Sequence, residues 1–365
     1  MIRRLAIGVA VLVPVAFLAA RAVPLPRHDP VPSTEENTDP LPRPHRTRNE
    51  PRQRGVALGL FAEDVSFSYT PLLREIAELG ASHVALVIPI YQDHVDSTEL
   101  YLHTRLSPTL EAIADTIREA EHAELEVTLF PIVRLAEPRS PQEWRGTLAP
   151  ADRDAWFANY GQRVGDLASL ATLTGATRLV LGSELSTLDG DLVHWSKLIE
   201  LIRAVYSGTL VYSANWDHYQ EARLFDLVDE IGVVGYFNLR EASAPSTVEA
   251  LAASWRRIGR EMESNLAKYD KPFVFTEIGY RSRTGSTAAP WDESPGGTAD
   301  PGEQQRGFAA FREAWTTPGI YHPRLDGIYV WNWYGYGGPA TTSYTPRGKP
   351  ATATVRQILL DLERP

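Results

Sequence analysis

PFVFTEIGY, residues 272–280, runs apolar on both of its alternating faces and carries one acid, Glu277, near its end. A strand of that kind is covered on both sides, as parallel strands packed under helices are. Comparable runs recur at 56–61, 83–90, 125–132, 178–183, 209–215, 230–237 and 327–334. Helical periodicity fills the intervals near 71–80, 107–122, 152–174, 192–206, 220–227, 246–268 and 303–316, and again after the last strand at 351–362. Eight strand–helix units predict an α/β fold, a (β/α)8 TIM barrel forming a single domain over 55–365. The alternative, a doubly wound open sheet, would carry a glycine-rich phosphate turn after its first strand. That position reads FAEDVSFSYT (61–70) and has no such turn.

Upstream of the barrel the character changes. Arg3 and Arg4 precede an uncharged, mostly apolar run from Leu5 to Ala20, and Ala20-Arg21-Ala22 is a small-x-small cleavage pattern. Residues 1–22 read as an export signal, either cleaved or kept as a membrane tether through residues 5–20; the run is short for a full span and Pro14 interrupts it. Residues 23–54 hold eight prolines and almost nothing apolar after Leu25, the composition of a disordered linker. The expected location is outside the cell membrane, secreted, periplasmic or tethered.

Composition narrows the chemistry. The chain of 365 residues carries 36 Lys and Arg against 46 Asp and Glu, so no basic excess favours nucleic acid. It has no cysteine, which removes thiolate nucleophiles, disulfides and Cys-bound metals. It is rich in Trp and Tyr, with 9 and 15. No P-loop, nucleophile elbow or zinc-protease helix motif occurs. Asp93, His94 and Asp96 have metal-binding chemistry but fit no specific spacing and read as a solvated loop. His83, at the start of a buried strand, reads as a core histidine. Neither a cofactor nor a metal is expected.

In a barrel the site lies at the C-terminal ends of the strands. Glu184, in LVLGSELS (179–186), and Glu277 each interrupt an apolar strand end. A carboxylate there is partly desolvated and needs a partner or a task. Strands 4 and 7 lie nearly opposite, so two carboxyls can flank a glycosidic bond; a separation of about 5–5.5 Å gives retention. The structural alternative pairs each with an arginine such as Arg134 or Arg281. Arg134 also suits a substrate hydroxyl. Trp331 and Trp333 alternate along the last strand and should face the same way, as a platform for a sugar ring. Trp144 and Trp216 sit on loops within reach of a sugar, Tyr280 closes the seventh strand as a further candidate substrate contact, and Trp291 rims the long 281–302 loop. Trp156, Trp195, Trp255 and Trp315 fall on helices and read as packing.

Taken together, WRGTLAPADRDAWFANY (144–160), LVLGSELS, LVYSANWD (210–217), DEIGVVGYFNL (229–239), KPFVFTEIGYRS (271–282) and GIYVWNWY (327–334) resemble glycoside hydrolase family 113 of clan A, known for β-1,4-mannanase activity. The resemblance implies Glu184 as acid/base, Glu277 as nucleophile and Tyr236 as a hydrogen-bond partner of the nucleophile. One departure stands out. The clan has Asn immediately before the acid/base, where it contacts the sugar 2-hydroxyl; here the residue is Ser183, with Asn215 as a candidate to supply the contact.

The expectation is a retaining hydrolase of a β-linked, mannan-type polysaccharide or oligosaccharide, with Glu184 the more basic carboxyl and Glu277 ionised. The net acidity points to a neutral chain over an anionic one. The rivals are the same machinery on another β-glycan (glucan, galactan or an envelope polysaccharide) and a non-catalytic carbohydrate-binding barrel.

Overall fold

Eight parallel strands close on themselves in sequence order, β1 to β8, with β1 hydrogen-bonded to β8. The structure is a computed structural model describing residues 51–64, 67–320 and 322–363. Residues 1–50, where the sequence predicts the export signal and most of the linker, lie outside the described residues. Among the described residues no helix is long and apolar enough to cross a membrane.

The strands are β1 Gln53–Gly59, β2 His83–Gln92, β3 Glu126–Leu135, β4 Arg178–Ser183, β5 Thr209–Ala214, β6 Glu230–Val234, β7 Phe273–Ile278 and β8 Leu325–Val330. The helices are α1 Thr70–Glu78, α2 Leu110–His122, α3 Arg153–Thr174, α4 Leu192–Arg203, α5 Val248–Leu266, α6 Pro301–Trp315 and α7 Ala351–Leu362. Side-chain oxygens of Thr109, Asp152, Thr247 and Asp300 cap the first turns of α2, α3, α5 and α6, satisfying amides that have no partner inside the helix. The helix expected at 220–227 is only a 3-10 turn, Arg223–Asp226. Tyr219, Ala222, Leu224, Phe225 and Val228 of that interval are buried and cover the barrel there without an α-helix.

Two apolar layers result. Inside the barrel lie Ala57, Ala85, Val87, Phe130, Ile132, Val180, Val211, Val234, Val274 and Tyr329. Between strands and helices lies a larger layer that includes Trp156, Trp195, Trp255 and Trp315, all fully buried, as their helical positions suggested. The barrel floor is polar. Gln53 Nε2 donates to Glu230 Oε1 at 2.6 Å and to Asp326 at 3.0 Å, and its Oε1 accepts from the Tyr329 hydroxyl at 2.8 Å. Gln53 and Arg54 therefore belong to the barrel, not to the linker assigned to 23–54. Their polarity masked a strand whose inward side chain is satisfied by other polar groups.

On the outer face, Gly307 of α6 lies against the Tyr280 ring; a Cβ there would come within 2.7 Å of ring carbons. Alanine should gain about 1 kcal/mol of helix propensity but meet an overpacking cost of about 1–3 kcal/mol. Gly307→Ala is expected to lower the melting temperature in a thermal scan while leaving cleft chemistry intact; a rise would show that the Tyr280 ring yields freely.

Candidate active site

Irregular strand ends aim the two glutamates. In β4 the pairing with β5 slips between Val180 and Gly182, so Leu181 faces the helices and Ser183 comes to pair with Ser213. A bulge of this kind re-aims a side chain without breaking the sheet. Glu184 then takes φ +56°, the left-handed region, while its N–H donates to the Ser213 carbonyl at 2.7 Å. A non-glycine residue held there stores about 1–3 kcal/mol, which the surroundings must offset. In β7 the register slips between Phe275 and Ile278, the stretch that holds Thr276 and Glu277. Thr276 meets Ser213 hydroxyl to hydroxyl at 2.6 Å, and Glu277 accepts a hydrogen bond from the Tyr236 hydroxyl at 2.7 Å.

Both carboxyls are buried, Glu184 at 4% and Glu277 at 1% exposure. Burial raises both proton affinities, because a dry site penalises charge. Glu277 is pushed up to about 8 by burial and then by the Glu184 charge, against Arg145 and the Tyr236 hydrogen bond. Glu184 is also raised, by burial, but the Arg145 guanidinium is ion-paired to its Oε2 and opposes the rise. The ion pair favours charge on Glu184, a contact that the sequence expectation of Glu184 as the more basic carboxyl leaves out.

Arg145 comes from a 3-10 turn, Arg145–Thr147, that packs on β3. It also lines a cleft of about 460 Å³ with Phe61, Arg134, Arg281, Glu293, Trp331, Asn332 and Tyr344. Arg134 makes no ion pair among the described residues; its guanidinium sits 5.9 Å from the Phe61 ring centre and lines the cleft. Arg281 binds loop carbonyls, Thr342 at 2.9 Å and Ser294, and neither glutamate. The arginine partner of Glu184 is thus neither of the two considered from sequence. The cleft wall, with three arginines and one glutamate, is also more positive than the net charge suggests.

The remaining candidates divide. Ser183 Oγ is buried with no hydrogen-bond partner among the described residues, as is Glu277 Oε1. Asn215 is buried, and its Oδ1 accepts from the Trp216 amide at 3.0 Å. Trp331 belongs to the inner layer and lines the cleft. Trp333 does not: it lies in the outer layer and its Nε1 donates to Glu75 of α1 at 2.8 Å. β8 ends at Val330, so the alternation that placed both indoles together does not extend to them. Tyr280 is likewise withdrawn from the substrate set, since it is fully buried among Phe308 and Trp255, whose Nε1 donates to its hydroxyl at 2.9 Å. Trp216 packs against Phe237, between the two layers. Trp144 is partly exposed beside Arg145, and Trp291 is exposed with its Nε1 donating to Asn238.

Asp93, His94 and Asp96 bind Tyr101, the Glu137 carbonyl and Arg139 respectively. His83 meets Ser82 and Glu126. Sequence reasoning passed over Arg145, Glu293 and Tyr344 as site residues. Arg145 was flanked by the chosen Trp144, and Glu293 lay in the 281–302 loop already marked as a rim.

The profile of Glycoside Hydrolase Family 113 matches residues 64–342. Among solved structures, a family 113 β-mannanase from Alicyclobacillus acidocaldarius is 23% identical, with a TM-score of 0.75 over 86% of this chain and 99% of that one. Two further structures of a family 113 β-1,4-mannanase give 21% and 22% identity and TM-scores of 0.74, over 85% of this chain and 99% of theirs. At such identity the likeness speaks to the fold. No curated protein matches.

A carboxyl with a raised folded-state pKa binds its proton more tightly when folded. Its contribution to stability is full below the unfolded value near 4.5 and is lost as pH climbs toward about 8. Glu277→Gln, which carries no charge to bury, should melt above the wild type, by a margin that grows from pH 5 to pH 8. A margin independent of pH would refute the raised pKa.

Proposed function

The chain belongs to glycoside hydrolase family 113, and from that premise we propose that it cleaves β-1,4-mannan-type chains with retention of configuration. The observation that carries this reading is the pair of buried carboxyls at the ends of β4 and β7, one bound by Tyr236 and the other by Arg145. In the first step Glu277 attacks the anomeric carbon and Glu184 gives its proton to the departing glycosidic oxygen. In the second, water attacks the same carbon, Glu277 leaves as carboxylate and Glu184 accepts the water proton. The shared proton must therefore sit on Glu184 before the first step, and substrate that separates Arg145 from the carboxylate would move it there.

Tyr236 has two roles in this mechanism. Its hydroxyl fixes the rotamer of Glu277 and lowers the cost of the carboxylate form. The unpartnered Ser183 Oγ and Glu277 Oε1 leave polar atoms for substrate, and Asn215 is the candidate for the contact made by the clan's asparagine. Trp331 supplies an apolar face for a pyranose ring. The mannan preference rests on the family and on the β-mannanases that share the fold. Export through residues 1–22, with or without a retained tether, belongs to the same proposal and is checked by sequencing the N-terminus of the protein recovered from cells.

Purified protein should release reducing ends from β-1,4-mannan and glucomannan faster than from cellulose or galactan. Glu277→Ala should lose at least about 10³-fold in kcat, because the nucleophile of a covalent route has no substitute. Proton NMR of the first product should show the β-anomer. The α-anomer would overturn retention, and equal rates for wild type and Glu277→Ala would overturn the site.

A further inference from the structure

We infer that Arg145 is a positioning residue for the hydrolytic half of the reaction, holding Glu184 in its charged, proton-accepting form once Glu277 has become an ester. The inference rests on the two-step reading above. Its geometric basis is a three-residue device, Trp144-Arg145-Gly146. The Trp144 indole folds back over Gly146, where a Cβ would come within 2.3 Å of ring carbons, so only glycine admits the fold. The Arg145 guanidinium lies 5.8 Å from the Trp144 ring centre and is ion-paired to Glu184 Oε2. The indole backs the guanidinium and the guanidinium meets the carboxylate, which limits the freedom of both.

The charges around Glu184 show why the second step needs this. Glu277 faces it from β7, Asp217 from beyond β5 and Glu293 from the 281–302 loop; Tyr236, bound to Glu277, is a neutral phenol. Arg145 is the one cation in contact with Glu184 among the described residues. After the first step the Glu277 oxygen is bonded to the anomeric carbon and its charge is gone. Glu184 has just lost its proton to the leaving group. Burial, Asp217 and Glu293 still favour reprotonation from solvent, and a reprotonated Glu184 cannot take the proton of the attacking water. Arg145 opposes that loss. When water adds, the bond from carbon to Glu277 breaks with its electron pair, the water proton passes to Glu184, and the ion pair dissolves.

The first step needs no proton when the leaving group is 2,4-dinitrophenolate, so turnover of a dinitrophenyl β-mannobioside reports the second step. The experiment compares kcat against pH for the full chain, Arg145→Gln and Arg145→Lys. In Arg145→Gln the acid limb should move to higher pH by at least one unit, so that the rate falls about tenfold near pH 5 and approaches wild type in alkali. Arg145→Lys should recover part of the shift. A limb that stays in place, or a loss equal at every pH with Lys no better than Gln, overturns the inference. A burst of dinitrophenolate shows that the second step limits turnover, and the anomer of the first product separates the two levels. A burst with an unmoved limb removes only the role of Arg145, whereas a first product of inverted configuration removes the covalent intermediate and this inference with it.

Discussion

Carboxylates withdrawn from water must find a counter-charge or keep a proton, and the upper end of this barrel is organised around that constraint. Glu184 and Glu277 are both nearly inaccessible, yet each meets a different partner. Arg145 brings a full positive charge to Glu184, and Tyr236 brings a single O–H to Glu277. Two carboxyls of the same type thereby stand in different electrostatic surroundings. Catalysis by a pair of like acids depends on that asymmetry more than on the acids themselves.

The scaffold achieves it by small departures from regularity. The slip in β4 turns Ser183 toward the interior, and Glu184 adopts a left-handed backbone directly after it. The slip in β7 falls where Thr276 and Glu277 stand. Below these points both layers are apolar, with Val87, Phe130, Val180 and Val211 inside and Leu58, Leu86 and Phe275 under the helices. The regular part supplies rigidity and the irregular part supplies aim, and strain at Glu184 is tolerable because its amide and its carboxylate are both bonded. The 281–302 loop is braced as well, with Arg283 bound to Asp292 and to the Ser294 carbonyl, so it forms a fixed rim.

Sequence reading recovered the barrel because the middle of each strand is mostly apolar and most of the intervals hold a helical period. It found Glu184 and Glu277 for the same reason: a charge inside such a run is conspicuous. It failed where contact is not periodic. Trp333 and Tyr280 lie just past the ends of β8 and β7, where period-2 alternation no longer assigns a face. Arg145 meets an acid 39 residues away in a different unit of the barrel, and no local pattern announces such a pairing. Gln53 looked like linker because its neighbours are polar, and only the floor of the closed barrel reveals Glu230, Asp326 and Tyr329 as its partners.

That floor has a temporal consequence. β1 joins β8 by pairing Gln53–Val56 with Gly327–Val330, and the Gln53 side chain spans 273 residues to reach Asp326. Contacts so distant along the chain form late, because their loop-closure entropy must be met before they contribute. Until β8 emerges, β1 and β7 remain open sheet edges able to pair with other chains. The last strand to be synthesised thus brings Trp331 to the cleft and removes both edges in the same event.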